Sequence, residues 1–303
     1  MSVLIVGSIA IDDIITPTAE ERELLGGSAS YAGISASFFA PVQLVGIVGH
    51  DFPEAHIELF EQRKMDLEGL QRADGPNFRW TGEYMDNMNK RETRNIALNV
   101  FETFMPDLPE SYKSAEHILL GNISPDLQLH VLNQLTAPKL VIADTMDLWI
   151  TIAREKLDEL VARVDILILN DSEAEDYTGE KNLVKAARNI LDRGPRFVVI
   201  KKGEHGALLF GKKGELLGFG AFPLEEVVDP TGAGDVFAGA FAGYLASVGS
   251  DGTDTAQLSR AIQYGTVLAS YNVQSFSAHR LVNVLPADVE SRLTAFRALS
   301  ELH

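Results

Sequence analysis

Short apolar runs alternate with longer amphipathic stretches along this chain. Residues 3–9, 42–48, 117–120, 140–143, 166–169 and 197–201 are almost continuous in apolar residues, as strands buried on both faces are. Helical stretches lie between them. Residues 53–64 open on Pro53, which suits a first helical turn. Residues 148–164 place Ile152, Leu157, Leu160 and Val161 near one stripe, and residues 183–192 stop at Gly194-Pro195. Residues 206–210 and 215–219, joined by Lys212-Lys213-Gly214, predict a hairpin late in the sheet. From Gly232 onward the pattern is helical. Strand and helix in this alternation give an α/β fold, a doubly wound and mostly parallel sheet flanked by helices.

One segment breaks the rhythm. Phe78, Trp80, Gly82 and Tyr84 alternate with polar residues, and Ile96, Leu98 and Val100 do so again after a polar connection over residues 86–95. Falling between two βα units, these strands predict a small β-lid outside the main sheet, formed by about residues 13–23 and 77–103 of one domain spanning 1–303. A half-covered apolar face of this kind suits a second copy, so a homodimer through the lid is expected.

The chain has 303 residues, 46% of them hydrophobic and 23% charged, enough for one large α/β domain. Its 26 basic against 43 acidic residues give a net charge of −17. Such a surface repels nucleic acid and anionic membranes. Cysteine is absent, which removes disulfides and thiolate chemistry, and the seven histidines have no metal-ligand spacing. The apolar start runs into Asp12 and Asp13, as a first strand does rather than a signal peptide, and no run reaches membrane-spanning length. A cytoplasmic protein is expected.

The most informative stretch is Asp229-Pro230-Thr231-Gly232-Ala233-Gly234-Asp235, followed by a helix-period apolar stripe through Val236, Phe237, Ala240, Phe241 and Leu245. Two glycines and an alanine at a helix start leave backbone N–H groups uncovered. With the positive helix end they form an anion hole for a transferring phosphoryl group. Asp235 stands beside that hole and can take a proton from an acceptor hydroxyl as it attacks a γ-phosphate.

At these residues the chain resembles the ribokinase, or PfkB, family of carbohydrate kinases, whose signature is Asp-Thr-x-Gly-Ala-Gly-Asp; Pro230 replaces the usual second residue. The resemblance covers nearly the whole chain and implies the ribokinase-like fold with its β-lid, ATP and Mg²⁺. It implies that Asp235 is the catalytic base, with Gly232, Ala233 and Gly234 forming the anion hole. Asp12 and the pair Gly26-Gly27, which opens a helix over 28–40, match the family's sugar-binding elements. Tyr31 stands where the family has a sugar-binding Asn. Asn170 and Glu173 match Asn-x-x-Glu, in which the Glu acts through water on Mg²⁺; helix capping is the competing role for this pair. Lys201, Gly203 and Gly206 match a nucleotide-binding Thr-x-Gly-x-x-Gly, with Lys201 for Thr. Thr231 belongs to the same nucleotide set. Thr266, on a helix over 257–272, falls near the adenine side. Asp229 is the candidate for a K⁺ site, although Gln274-Ser275-Phe276-Ser277 lacks the family's glycine-containing loop.

The resemblance thus implies an ATP-dependent phosphotransferase acting on a hydroxyl of a sugar or related polyol. The alternatives are a nucleoside kinase of the same family, since Phe78, Trp80, Tyr84, Met85 and Met88 could stack a base, and a catalytically silent sugar sensor. A sensor has no use for Asp235 and Glu173. A Rossmann dehydrogenase is excluded, because Gly7-Ser8-Ile9-Ala10 is not Gly-x-Gly-x-x-Gly.

Overall fold

The computed structural model describes residues 1–88 and 90–299. In chain order the elements are β1 (Val3–Val6), β2 (Ala10–Ile15), β3 (Glu20–Gly26), α1 (Ser28–Ala36), β4 (Val42–Val48), α2 (Glu54–Gln62), β5 (Leu70–Arg72), β6 (Phe78–Tyr84) and β7 (Arg91–Ala97). There follow β8 (His117–Leu120), α3 (Pro125–Gln134), β9 (Leu140–Asp144), α4 (Asp147–Ile152), α5 (Arg154–Val161), β10 (Ile166–Asn170), α6 (Asp171–Thr178), α7 (Leu183–Arg193) and β11 (Phe197–Lys201). The last are β12 (Ala207–Gly211), β13 (Leu216–Phe219), α8 (Ala233–Ser247), α9 (Thr255–Asn272) and α10 (Pro286–Ala298).

Nine strands form one sheet in the order β13-β12-β11-β10-β9-β8-β1-β4-β5, antiparallel only at β12 and β13. Its central strands are buried on both faces, between one core cluster under α1, α8 and α9 and another under α3, α5 and α7. This is why their sequences show continuous apolar runs. The strand order reverses at β1, which lies between β8 and β4. In open α/β sheets, ligands bind at such a reversal, outside the carboxyl ends of the strands.

Small residues bring the two helices over that point close together. A Cβ at Gly239 would come within 2.2 Å of the Ala32 carbonyl, and one at Gly243 within 2.7 Å of Ala36 Cα. Glycine on α8 therefore lets it lie almost backbone to backbone on α1. The entry to α1 is fixed equally tightly, since the backbone N–H of Ser8 donates to Ser28 Oγ and that of Ser28 to Ser8 Oγ. These bonds draw Ser8 away from sheet pairing, so β1 ends at Val6 and not at Ile9.

Two other elements differ from expectation. Ala153, at φ −130°, breaks the helix expected over 148–164 into α4 and α5. The second lid strand is β7 and not the Ile96/Leu98/Val100 stretch. Asn99 takes φ 50° and Val100 N–H donates to the Pro76 carbonyl, which turns the chain into a 3₁₀ turn over Asn99–Thr103. The polar connection read over 86–95 therefore contains most of the strand.

The lid is a second sheet in the order β3-β2-β6-β7. Register places Asp12 beside Trp80, Trp80 beside Ile96, and Tyr84 beside Arg91. With the pleat's period of two, these side chains share one face. The opposite face carries ion pairs between Arg79 and both Glu23 and Asp51, and between Arg94 and both Glu83 and Glu92. No helix among the described residues is long and apolar enough to cross a membrane.

Candidate active site

Gly232 caps the start of α8 in the left-handed conformation, φ 73°, and a Cβ there would lie 2.5 Å from the Tyr31 ring. Glycine is thus required twice, by backbone and by space. Ala233 N–H donates to the Pro230 carbonyl at 3.2 Å, and the N–H groups that follow in the first turn of this 15-residue helix have no intrahelical acceptor. Asp235, in that first turn, is raised to about pKa 7, chiefly by burial and then by the charge of Asp144. A carboxylate with that pKa can accept a proton near neutral pH and release it again.

Beneath the glycines lies a cation. Lys201 Nζ would be 3.0 Å from a Cβ at Gly234, and it pairs with Asp144 at 3.2 Å. Burial opposes the Lys201 charge, but Asp144, Glu173 and Asp235 together outweigh it and hold its pKa above the ordinary value. The cluster follows from topology. Asp144, Asn170 and Lys201 close β9, β10 and β11, three neighbouring parallel strands. Asp144 was missed by sequence reasoning. Its signal was its place at the carboxyl end of an apolar strand, the same position as Asn170 one strand on.

Asn170 and Glu173 form a capping box: Asn170 Oδ1 accepts from Glu173 N–H at 2.8 Å, and Glu173 Oε2 accepts from Asn170 N–H at 2.7 Å. The capping role is therefore real. It leaves Glu173 Oε1 outside the box, on a carboxyl that burial raises to about pKa 7. Among the described residues no group of three or more His, Cys, Asp or Glu could hold a metal directly.

On the lid side, Asp12 lies directly over Gly26, where a Cβ would be 2.0 Å from its Oδ2. Burial, then Asp229 and Asp235, raise its pKa well above the carboxylate range. Gly27, at φ 93°, turns the chain into α1. Tyr31 is 2% exposed, packed under Gly232, and its buried hydroxyl has no hydrogen-bond partner of normal geometry.

Several expected residues also hold the structure together. The Thr231 hydroxyl, expected at the nucleotide, donates to Tyr84 Oη at 3.0 Å and so ties the anion loop to the lid. Asp229 uses both carboxylate oxygens on backbone, accepting from Thr231 N–H at 2.8 Å and from Ser277 N–H at 3.0 Å. Ser277 takes φ 51°, so a serine closes this loop, which the sequence showed to lack glycine. Gly203 and Gly206, at φ 52° and 85°, form the turn after β11, and Gly206 is pressed against the Phe219 carbonyl of β13. Thr266 is buried on α9, beside Gly265, which packs on the Phe237 ring of α8.

Arg91 was also missed, because its segment read as a polar connection. Its guanidinium lies over Trp80, 5.5 Å from the ring centroid, and its charge acts on Asp12, Tyr84 and Asp235.

A buried carboxylate beside a glycine-rich helix start, at the switch point of a doubly wound sheet, is the arrangement of a phosphoryl-transfer site. The chain belongs to the pfkB family of carbohydrate kinases, matching it over residues 3–283. It is 32% identical over 252 residues to a cytidine kinase from Thermococcus kodakarensis, covering 80% of this chain and 88% of that one. It is 25% identical over 296 residues to a ribokinase from Lactococcus lactis, covering 91% and 92%. A ribokinase II structure from E. coli, in complex with ATP and Mg²⁺, superposes with a TM-score of 0.80 at 18% identity, covering 97% of this chain and 99% of that one. The ribokinase-like fold with its small second sheet was thus read correctly.

Proposed function

We propose that this protein transfers the γ-phosphate of ATP to a ribosyl hydroxyl, and that the ribose belongs to a nucleoside. The observation that carries the nucleoside is Trp80. Its indole lies flat across Gly82, where a Cβ would be 2.1 Å from the ring, and Nε1 donates to Thr93 at 3.1 Å. The ring stands beside Asp12 in the register, with Arg91 over it at 5.5 Å, and packs in part on the cluster of Ile14, Leu24 and Phe276. Phe78 and Tyr84 are explained by packing, on Phe101 and in a small cluster with Ile14, Leu24 and Phe276. Trp80 is only half-buried and Ile96 is 52% exposed, so the inner face keeps an apolar slot. A base needs such a slot and a free sugar does not. Resemblance to the Thermococcus cytidine kinase supports the same reading. The sequence alone put a sugar or related polyol first, with a nucleoside as the alternative; the partly exposed Trp80 supports the nucleoside.

In this reading Asp12 accepts hydrogen bonds from ribose hydroxyls, Gly26 and Gly27 let the ring approach, and the Tyr31 hydroxyl supplies a donor. Asp235 takes the proton of the attacking hydroxyl, the new O–P bond forms at the γ-phosphorus, and the bond to the ADP oxygen breaks. The N–H groups around Gly232, Ala233 and Gly234, with Lys201 below them, hold the transferring group's charge. Mg²⁺, when bound, neutralises phosphate charge, and Glu173 Oε1 and Asp144 are the chain's groups for its outer water shell.

The assay compares kcat/KM for cytidine, adenosine and inosine with that for ribose and fructose, by ADP release. The best nucleoside should exceed the best sugar by tenfold or more, about 1.4 kcal/mol in transition-state binding. Trp80→Ala should cut the nucleoside value by about 1–3 kcal/mol while sparing any sugar turnover. A free sugar in first place would overturn the nucleoside and leave the phosphotransferase standing.

A further inference from the structure

The loop that fixes Asp229 has a second role available to it. Gln274 and Ser275, at its start, also line a cavity of about 500 Å³ together with Tyr271, Arg280, Asp288 and Arg292. That volume suits a small organic ligand. Arg292 lies flat on Tyr271, 3.3 Å from the ring centroid, and Arg280 stands 6.0 Å from the same ring.

The two guanidiniums converge on one neutral atom. Gln274 Oε1 accepts from Arg292 Nη2 at 3.0 Å and from Arg280 Nε at 3.2 Å, and Ser270 Oγ accepts from Arg292 Nη1 at 2.9 Å. Among the described residues neither arginine makes an ion pair, whereas Arg79, Arg154 and Arg193 each have a carboxylate. Acids are not scarce in a chain with 43 of them. The acid in this wall, Asp288, points one oxygen at its own helix start, accepting from Leu285 N–H at 2.9 Å. Burial disfavours the Arg292 charge; Tyr271 and Asp288 offset part of that cost, and the neighbouring Arg280 adds to it. An anion between them would relieve both.

We propose that this cavity binds a small phosphorylated anion, gripped by Arg280 and Arg292 against the Tyr271 face, separately from the catalytic site. A planar guanidinium presents paired donors to phosphate oxygens, and two of them converging make a dianion the fitting ligand. His279, also in the wall, adds a further ring nitrogen. Occupancy reaches the catalytic loop through the chain itself. Gln274 follows Val273, whose carbonyl accepts from Val228 and Asp229, and Ser277 N–H holds the Asp229 carboxylate. An anion that takes the Arg280 and Arg292 donors from Gln274 changes how the loop on which Asp229 and Thr231 depend is held.

Binding of inorganic phosphate and of ribose 5-phosphate would be measured by calorimetry, with the catalytic site filled by saturating Mg·ADP. The expected result is one site that persists under Mg·ADP and weakens about tenfold or more in Arg280→Ala and in Arg292→Gln. Arg280 is exposed, so its variant keeps the test valid if the Arg292 change harms folding. Either probe binding tighter supports the site, and the tighter one tells whether free phosphate or an organic phosphate is its source. Binding that Mg·ADP abolishes, binding indifferent to Arg280→Ala, or no binding at millimolar concentrations would each overturn it.

Discussion

In the main sheet, β1 and β10 lie under helices on both faces and are buried almost throughout, whereas β7 of the lid is exposed along most of its length. The main sheet carries the charged groups of the site at its strand ends: Asp144 and Lys201 close their strands at the carboxyl edge, on either side of Asn170. The lid carries ion pairs along one face, and on the other Trp80, Tyr84 and Ile96 beside Asp12 and Arg91. The difference follows from what each part must hold. Phosphoryl transfer needs donors and base fixed to within about 0.5 Å, and α8 is locked to α1 by glycine contacts that leave no slack. The second sheet has a smaller core, a cluster of Ile14, Leu24, Tyr84 and Phe276, and so less packing to fix it in place.

The largest effect that separates the two regions is Asp235→Asn. In the proposed reading it lowers kcat by about 10²–10⁴ while lid contacts, and hence substrate binding, persist. Single-turnover ADP release measures the first and substrate titration the second; a variant keeping a tenth of the wild-type rate would reject Asp235 as base. The pH dependence follows from its pKa of about 7. The rate of the wild type should fall tenfold per unit below that value, as the base becomes protonated, and level off above it. Stability runs the other way. A carboxyl whose folded pKa lies above its unfolded value stabilises the protonated fold, so that stability is lost as pH rises. Between about pH 4 and 7 this one group costs up to about 1.4 kcal/mol per pH unit. Asp235→Asn lacks that cost and should melt higher than the wild type at pH 8, which a loss of fold could not imitate.

A smaller effect stays within the rigid region and divides two roles of one residue. Glu173→Gln keeps an oxygen for the Asn170 N–H, so the cap should survive and stability should change by less than about 1 kcal/mol. It removes the charge beside Lys201, and the Mg²⁺ concentration for half-maximal rate should rise about tenfold. An unchanged Mg²⁺ requirement with a lower melting temperature would leave Glu173 as a cap alone. Turnover that survives EDTA would remove the reaction class.

The contrast between the regions also governs what could be read in advance. Runs such as Val42–Val48 and Phe197–Lys201 were legible to the residue, because burial on both faces leaves a continuous apolar signal. The Asp229–Asp235 stretch was legible because glycine, alanine and aspartate at a helix start have few other uses. β7 was not, since a strand exposed on both sides has no period to read, and Arg91 was lost with it. Asp144 went unread for a different reason: one Asp at a strand end is ordinary until pairing brings Lys201 beside it. Lys201 stood out as a departure from the family pattern, but that it lies under Gly234 is a fact of packing between strand and helix.

The smallest predicted effect tests the joint between the two regions. Tyr84, on β6, accepts a hydrogen bond from Thr231, which precedes the anion hole, and both groups are buried. Each residue has a second attachment. Tyr84 packs with Ile14, Leu24 and Phe276 in the lid cluster, and the Thr231 N–H and carbonyl are held by Asp229 and Asn272. Tyr84→Phe keeps the ring and that packing and removes the hydroxyl that Thr231 bonds, together with its interaction with Arg91. A buried hydrogen bond lost in this way costs about 0.5–1.5 kcal/mol. If the bond exists only to hold the fold, the cost appears in the melting temperature and kinetics stay unchanged. If it couples lid position to the anion loop, part of it appears as a rise in KM of about 2- to 10-fold at nearly constant kcat, because a looser lid weakens binding of ground state and transition state alike. A fall in kcat with KM unchanged would contradict both, and would mean that Tyr84 orients the anion loop during the chemical step rather than the lid above it.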